Sequence, residues 1–335
     1  MVQQFCHDPT QQELPATKDS GHVVGVDIGG TNLRVALAEP NGKILAKWST
    51  STVGMCHEHS VVDLISKGVT HLLKETSVPR SSLRAVAAGA PGVTDVHAGV
   101  VIATSYLMGW SDVPLRTLLE SSLGVPAAVD NDVNLAALGE SWAGAATGTR
   151  DFVFLAIGTG IGAGIVLQGR LFHGMGWTAG EIGYMLVPGT SEEPIERGEP
   201  GALESIAGGE GIKKQWQLLW TEGRTSLPKD LNATQIFDYA VDGDPVAQQV
   251  LHRTARALSY AIYNISLVLS CPLFVLGGGV GMHPALCDAT RTCLLQSGTR
   301  VMPELTRSAL GGDAQLIGAI RLALDVKNSQ TAHPS

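Results

Sequence analysis

The sequence predicts an α/β protein built from two similar halves that enclose a cleft. One cassette occurs twice: an apolar strand, a glycine turn, a second strand, a tight turn and a third strand. The first copy covers residues 22–48 and the second begins at Asp151. In each half the strands are followed by alternating helices and strands, an order typical of a mixed sheet covered by helices. A chain of 335 residues has room for two such halves.

Each cassette contains a glycine turn of the kind that binds phosphate. The first turn is Asp27-Ile-Gly-Gly-Thr-Asn32, and the second is Gly158-Thr-Gly-Ile-Gly162. Glycine admits positive φ angles and, lacking a Cβ, lets backbone N–H groups approach phosphate oxygens. A single turn of this kind usually just connects the two strands of a β-hairpin. Two of them predict two halves that face one polyanion, with a nucleotide tail between them.

The second turn also satisfies the G-x-G-x-x-A dinucleotide pattern, with Gly158, Gly160 and Ala163. That pattern requires a helix directly after the turn. Residues 163–167 are instead short and β-branched, and they end at a Gln-Gly turn, so they predict a strand paired with the preceding one. Asn41-Gly42 likewise predicts a two-residue hairpin in the first cassette.

The remaining elements follow from apolar runs and from their caps. Strands are predicted at 22–28, 33–38, 43–48, 83–88, 127–129 and 273–276. Helices are predicted after an N-cap at Ser60, between Pro114 and Gly124, through Trp142, up to about Ser270, and over 313–324 with Asp313 as the cap. Residues 1–20 are polar and aperiodic, which favours a loose tail.

Composition excludes several classes of protein. The chain is 44% hydrophobic and 16% charged, as expected for a globular protein. Its net charge of −8, without clusters of Lys and Arg, predicts binding to neither nucleic acid nor anionic membranes. The five cysteines form no CxxC pair, and the N-terminus does not look like a secretion signal, so a cytoplasmic location is expected.

One uncharged stretch, residues 258–282, is long enough to span a bilayer. It contains Asn264, Pro272 and three consecutive glycines, which are unusual in a spanning helix. We therefore predict a buried helix, a strand and a glycine turn there.

Seven motifs occur in the order found in the ROK family of sugar kinases and repressors, and the chain resembles that family over residues 22–325. The motifs are Asp27-Ile-Gly-Gly-Thr-Asn, Gly89-Ala-Pro-Gly, Asn131-Asp132-Val-Asn134, Gly158-Thr-Gly-Ile-Gly, Gly180-Glu181-Ile-Gly183, Leu203-Glu204 with Gly208-Gly209, and Gly277-Gly-Gly. The resemblance implies two ribonuclease-H-like lobes of the actin and hexokinase type with a central cleft. It also implies ATP-dependent phosphorylation of a hexose in that cleft, and a homodimer.

The expected lobes are residues 21–132 with 313–330, and residues 133–312. The catalytic base would be Asp132, because a sugar hydroxyl that attacks a phosphoryl group needs a carboxylate to accept its proton. The alternative for Asp130-Asn131-Asp132 is a double helix cap. Asp27 would hold Mg²⁺ through water, since Mg²⁺ retains much of its hydration.

The other expected contacts fall into two groups. Nucleotide contacts would come from Gly29, Gly30, Thr31, Asn32, Gly158, Thr159, Gly160, Gly277, Gly278 and Gly279. The sugar would be bound by Gly92, Asn131, Asp132, Glu181, Tyr184 and Glu204, whose polar groups would pair with its hydroxyls.

The chain departs from the family where many members bind a structural zinc. The four ligand positions hold Tyr184, Ile195, Arg197 and Ala202, so we expect no zinc. Tyr184 either sets sugar selectivity through its hydroxyl or supports the neighbouring loop by packing. Tyr106, at a position where the family often has a sugar-binding asparagine, also leaves the choice of hexose open.

Glucose is the first candidate substrate, because the Gly-Gly-Thr-Asn turn resembles that of bacterial glucokinases. A kinase for another hexose or N-acetylhexosamine, a catalytically silent sugar sensor, and an acyl-phosphate kinase or ATPase of the same fold are the alternatives. A DNA-binding repressor is disfavoured, since about twenty residues with little positive charge precede the first strand.

Overall fold

The computed structural model describes residues 21–331 except for 56, 105, 106, 108, 191–198 and 299–301. The predicted tail and Tyr106 lie outside the described residues.

The described residues form thirteen strands and ten helices. The strands are β1 His22–Ile28, β2 Asn32–Ala38, β3 Ile44–Ser51, β4 Leu83–Ala90, β5 Val93–Asp95, β6 Val100–Ala103, β7 Ser111–Val113, β8 Ala127–Asn131, β9 Phe152–Ile157, β10 Ile161–Leu167, β11 Arg170–Leu171, β12 Leu273–Gly277 and β13 Glu304–Arg307. The helices are α1 Glu58–Glu75, α2 Leu115–Leu123, α3 Asp132–Ala143, α4 Glu204–Ala207, α5 Gly209–Leu219, α6 Ala233–Val241, α7 Pro245–Leu269, α8 Gly278–Gly281, α9 Pro284–Gln296 and α10 Ala314–Thr331.

The two large sheets have the same topology. The first has the order β3-β2-β1-β4-β8 and the second the order β11-β10-β9-β12-β13. In each, the first three strands in sequence are antiparallel neighbours and the next two are parallel to the first. A small antiparallel sheet, β5-β6-β7, follows β4. The predicted mixed α/β fold with a duplicated cassette is confirmed.

Strand β1 is buried on both faces, which explains its nearly continuous apolar sequence. Val24, Val26 and Ile28 belong to the core beneath α1 and α2. Val23 belongs to the core beneath α10. Gly25 also faces α10, because a Cβ there would lie 2.9 Å from the backbone nitrogen of Ile320. The missing side chain therefore allows α10 to pack directly on the strand.

Helices α3 and α10 lie between the two sheets and contact each other closely. Gly139 of α3 and Gly318 of α10 are at their contact, where a Cβ would overlap the other helix's backbone. The same α3 helix packs on the second sheet, with Ala136 and Ala137 against the core that contains Phe152 and Phe154. The small residues of α3 thus allow α10 to pack on one side of the helix and the second sheet to pack on the other.

Three local predictions about turns and caps are wrong. Helix α1 begins at Glu58 with His57 in the N-cap position, so Ser60 lies inside the helix. The connection between β2 and β3 is five residues long and has Gly42 at φ 86°, whereas the second cassette has the predicted tight turn, with Gln168 and Gly169 both at positive φ.

Asp313 does not cap a helix that starts with it, because it closes a short 3₁₀ turn and α10 begins at Ala314. Its carboxylate instead binds the Lys47 ammonium at 2.5 Å. Helix α7 ends at Leu269 with Ser270 as its C-cap, close to the predicted end near Ser270. Across the described part of the chain, we find no helix with the length and apolar character to cross a membrane. The lobe boundaries near residues 132 and 313 stay a prediction.

Glu140, near the end of α3, is fully buried and bonds to both connections between the sheets. Its Oε2 accepts a hydrogen bond from Ala145 N at 2.6 Å, in the segment that leads from α3 to β9. Its carboxylate also accepts bonds from the Ser308 hydroxyl and from the backbone N–H groups of Ala309 and Leu310, in the segment from β13 to α10. One carboxylate therefore joins the two segments through which the chain passes from sheet to sheet.

Replacing this carboxylate is expected to destabilise the protein strongly. Glu140→Ala leaves several buried donors without an acceptor, so we expect the free energy of unfolding to fall by roughly 3 kcal/mol. Urea denaturation measures the change. Glu75→Ala, at a half-exposed position on α1, is the control and should change stability by less than about 0.5 kcal/mol. Equal effects of the two variants would contradict a joining role for Glu140.

Candidate functional site

Acidic side chains collect where the parallel strands of the first sheet end. Asp27 is paired with Gly89 in the register of β1 and β4, and Gly89 is paired with Asp130 of β8. Because parallel strands end at one edge of the sheet, Asp27 and the start of α3 are brought together. A Cβ on Gly89 would lie 3.4 Å from the Cα of Asp132, so the glycine allows Asp132 to lie close over β4.

Asn131 is the N-cap of α3. Its Oδ1 accepts hydrogen bonds from Val133 N at 2.8 Å and Asn134 N at 3.1 Å, and its Nδ2 donates to the carbonyl of Gly92 at 2.8 Å. The cap alternative considered for this motif is therefore correct for Asn131. Asp132, the first residue of the helix, accepts from Val133 N at 3.0 Å.

Asp132 has a strongly perturbed acidity. Burial raises its pKa to about 7, and the negative charges of Asp27 and Glu181 act in the same direction. A carboxyl group with this pKa can exchange a proton near neutral pH. The charges of Asp27 and Glu181 are thus close enough to Asp132 to affect its acidity.

Asp27 is paired with a cation from the adjacent strand. Arg34 donates to Asp27 Oδ2 from Nε at 2.8 Å, and its Nη2 lies 2.6 Å from the same oxygen. Burial raises the pKa of Asp27, although the charge and hydrogen bond of Arg34 oppose this. Both contacts are made to one carboxylate oxygen.

The first glycine turn is held by the end of β3. Gly29 N donates to Asn32 O at 2.8 Å, and Thr52 donates from Oγ1 to Gly29 O at 2.8 Å and from its backbone to Thr31 O at 3.0 Å. Gly29 and Gly158 do not have positive φ. Glycine is needed at Gly29 for a different reason, because a Cβ would lie 3.0 Å from Asn32 O.

The second glycine turn is supported by the start of α5. Gly209 N donates to Gly158 O at 2.8 Å, and Glu210 N donates to Thr159 O at 3.3 Å. A Cβ on Gly209 would lie 2.6 Å from Gly158 O, so this glycine permits the contact. The position of a Gly158 side chain, by contrast, is open, with no other heavy atom within 4 Å. The turn therefore packs against the start of α5 at Gly209, while the space at the Gly158 side-chain position is open.

The three glycines at the end of β12 and the start of α8 differ from one another. A side chain on Gly277 would overlap the ring of Phe154, and one on Gly278, whose φ is 78°, would overlap the backbone of Ile157. Gly279 has open space around it. Gly277 and Gly278 are therefore required by packing, and Gly279 is the one with room for a ligand.

Two glutamates predicted to bind sugar lie on the second half of the chain. Glu204, the first residue of α4, accepts from Ile161 N at 2.9 Å, next to the second glycine turn. Burial raises the pKa of Glu181, and the charge of Glu204 raises it further. Both glutamates therefore belong to the group that contains Asp132.

Tyr184 follows Glu181 in a short 3₁₀ turn, and its side chain is 53% exposed. Part of the adjoining loop, which includes Ile195 and Arg197, lies outside the described residues. Whether Tyr184 sets selectivity or supports that loop stays open. Gly92 lies beside Asn131, which donates to its carbonyl. Glycine is required at this position, because its φ is 99° and a side chain would overlap Ala103.

Two sheets of one topology, with glycine turns and acidic residues at their strand ends, define an actin-like, ribonuclease-H-like fold. A family model described as "ROK family" matches residues 23–326. A glucokinase from Halalkalibacterium halodurans is 34% identical over 77% of this chain and 80% of its own length. An N-acetylmannosamine kinase from Escherichia coli is 31% identical over 91% of this chain and 99% of its own length.

A solved structure supports the same assignment. The ROK family glucokinase from Streptomyces griseus, in complex with glucose and AMPPNP, is 27% identical to this chain. The match covers 91% of this chain and the whole of the glucokinase chain, with a TM-score of 0.76. The chain belongs to the ROK family.

Sequence reasoning gave no role to Asp130 beyond a cap, and it overlooked His173. His173 Nε2 lies 2.8 Å from Asp130 Oδ2, and Asp130 also bonds to Asn131 N and Asn134 Nδ2. Residues separated by 43 positions give no local signal of such a contact.

The raised pKa of Asp132 predicts a stability effect that does not depend on activity. Because the folded state favours the protonated form, ionisation destabilises the fold progressively as pH rises from about 4, near the ordinary value, to about 7. Asp132→Asn mimics the protonated form, so its Tm should exceed that of the wild type at pH 8.

The Tm difference should shrink toward zero as the pH is lowered to 4, and differential scanning calorimetry across this range measures it. Asp63→Asn, at an exposed position on α1, is the matched control and should show no such trend. A Tm difference for Asp132→Asn that is constant with pH would contradict the perturbed pKa.

Proposed function

We propose that this protein is an ATP-dependent sugar kinase that transfers a phosphoryl group to a hexose hydroxyl, with conversion of glucose to glucose 6-phosphate as its first candidate reaction. The observation that carries the proposal is Asp132, a buried carboxyl group at the start of α3 with a pKa of about 7, influenced by the charges of Asp27 and Glu181. The glucokinase and N-acetylmannosamine kinase relatives act on sugars by name, which supports the same class of substrate.

Asp132 would act as the catalytic base. A general base works best when its pKa is close to the working pH, because it is then ionised and still accepts a proton readily. Asn131 leaves Asp132 free for this role by providing the N-cap of α3 itself. Once ionised, the Asp132 carboxylate would accept the proton of the sugar hydroxyl as the sugar oxygen bonds to the γ-phosphorus of ATP and the bond from that phosphorus to the departing ADP breaks.

The nucleotide would lie along the glycine turns. The open position at Gly158 gives room for phosphate oxygens, and the open position at Gly279 gives room for the nucleoside. Gly29, Gly30, Thr31, Asn32, Thr159 and Gly160 would complete the phosphate contacts. AMPPNP in the Streptomyces griseus glucokinase supports ATP as the donor.

Asp27 is the residue proposed to orient Mg²⁺ through water. Its carboxylate fits this task, because Arg34 occupies Oδ2 and Oδ1 can face a hydrated cation. Mg²⁺ would neutralise phosphate charge at this position. The described residues contain no cluster of three or more acidic, His or Cys side chains placed to hold a metal.

The sugar would be bound between the two halves, by Asn131 and Gly92 on one side and by Glu181, Glu204 and Tyr184 on the other. The carboxylates would accept hydrogen bonds from sugar hydroxyls, and a hydroxyl missing from the sugar would leave them unpaired. Glucose and N-acetylmannosamine differ at such positions, and relatives that use either are similar to this chain.

We also propose a cytoplasmic homodimer without nucleic-acid partners.

The zinc content gives one test of how this chain differs from other family members. None of Tyr184, Ile195, Arg197 and Ala202 is an effective zinc ligand. We therefore expect elemental analysis of the purified protein to find much less than one zinc per chain. A stoichiometric zinc that resists dialysis would show that other residues bind it.

Catalysis is tested with ATP, Mg²⁺ and a panel of glucose, mannose, N-acetylmannosamine and N-acetylglucosamine, while ADP release is measured. We expect release that depends on at least one sugar, and Asp132→Asn should lower kcat roughly 10²- to 10⁴-fold because it removes the base. Asp63→Asn is the control. Equal ADP release without sugar would favour the ATPase or acyl-phosphate kinase alternative, and no turnover together with tight sugar binding would favour the silent sensor.

A further inference from the structure

His173 makes a side-chain contact between the two halves of the chain. It follows β11 of the second sheet, whereas its partner Asp130 lies in β8 of the first. Their side chains are only 20% and 5% exposed, at a distance of 2.8 Å. Burial alone would lower the pKa of His173, but the hydrogen bond and charge of Asp130 raise it, which favours a charge-assisted contact.

Asp130 holds the residues that follow it. Its Oδ1 accepts hydrogen bonds from Asn131 N at 2.7 Å and from Asn134 Nδ2 at 3.0 Å. Asn131 caps α3, and Asp132 is the first residue of that helix. The position of the Asp130 carboxylate therefore determines the backbone that presents Asn131 and Asp132.

His173 also begins the segment that leads to Glu181. Within this segment, Ala179 N donates to His173 O at 3.3 Å, and Glu181 N donates to Thr178 O at 3.2 Å. The segment is thus folded back on its first residue. A displacement of His173 would be transmitted to Glu181 through these bonds.

Trp177, in the middle of this segment, has φ 61°, a conformation that a bulky side chain rarely adopts. Its ring packs edge to face on His97, with the ring centroids 4.9 Å apart, and lies 6.0 Å from His173. His97 belongs to the β5–β6 connection, and its carbonyl accepts from Arg116 of α2 at 3.0 Å. Such strain persists only where the surroundings impose it, and it occurs often at functional sites.

We propose that His173 is a positioning residue for sugar binding. With Trp177 packed behind it, its contact with Asp130 holds the segment that carries Glu181 against the segment that carries Asn131 and Asp132. Side chains from both halves then face one sugar molecule. The proposal deepens the proposed kinase function and rests on it for the substrate.

Steady-state kinetics provide the first test, with the sugar that the wild type phosphorylates fastest. His173→Ala should raise the KM for sugar about tenfold or more, the scale of a lost hydrogen bond to a charged group, and leave the KM for ATP within about twofold. His173→Gln should recover part of the loss, because its amide can still donate to Asp130. His71→Ala, which removes a histidine paired with Glu75 on the surface of α1, is the matched control.

Trp177→Gly separates positioning from general stability. Glycine adopts φ 61° without strain, so the loss of ring packing is offset and the Tm should change little. The KM for sugar should nevertheless rise. This variant keeps the proposal testable if His173→Ala does not fold.

Hydrogen exchange of the unliganded protein gives a readout that does not require activity. Peptides covering 130–134 and 173–181 should exchange faster in His173→Ala than in the wild type or in His71→Ala. If the wild type phosphorylates no sugar, the proposed function fails and this exchange measurement still decides whether the contact holds the two segments. Wild-type exchange in His173→Ala, an unchanged KM for sugar, or an equal rise in the KM values for sugar and ATP would overturn the proposal.

Discussion

The buried carboxylate of Glu140 is the interaction on which the arrangement of the two sheets depends. The chain passes from the first sheet to the second after α3 and returns after β13, and Glu140 accepts hydrogen bonds from both passages. A carboxylate with no access to water must be paired with hydrogen-bond donors. These bonds therefore fix the positions of the two connecting segments relative to each other.

The same helix that carries Glu140 begins with Asp132, so the joining carboxylate and the candidate base belong to one helix. Gly139 and Gly318 allow α3 and α10 to touch through their backbones, and Gly164 allows the second sheet to approach α3, since a Cβ there would lie 2.8 Å from Val133 O. At these three positions, glycine allows α3 to pack closely against α10 and against the second sheet. The acidic group at the start of α3 is therefore placed by helix packing, and burial raises its pKa, with the charges of Asp27 and Glu181 acting in the same direction.

The duplicated topology could be predicted from the sequence, because the central strands are buried on both faces. Such strands have nearly continuous apolar sequences, as residues 23–28 do. The glycine turns and the Asn131-Asp132 motif were also found, since each is local in sequence. Contacts between distant residues were not predictable: Glu140 was assigned no role from the sequence, and its partners Ser308, Ala309 and Leu310 lie 168 to 170 residues further along the chain. The contact between His173 and Asp130 was missed for the same reason. Asn41-Gly42 was misjudged because the loop includes Glu39 and Lys43, which bond to each other and lengthen it.

The account makes one central claim: that a sugar hydroxyl and a nucleotide meet at Asp132. A crystal structure of the protein with glucose and a non-hydrolysable ATP analogue tests this claim most directly. We expect a sugar hydroxyl within hydrogen-bonding distance of the Asp132 carboxylate, and the terminal phosphate between the turns at Gly29 and Gly158. A sugar bound away from Asp132, or phosphates that touch neither turn, would contradict the account.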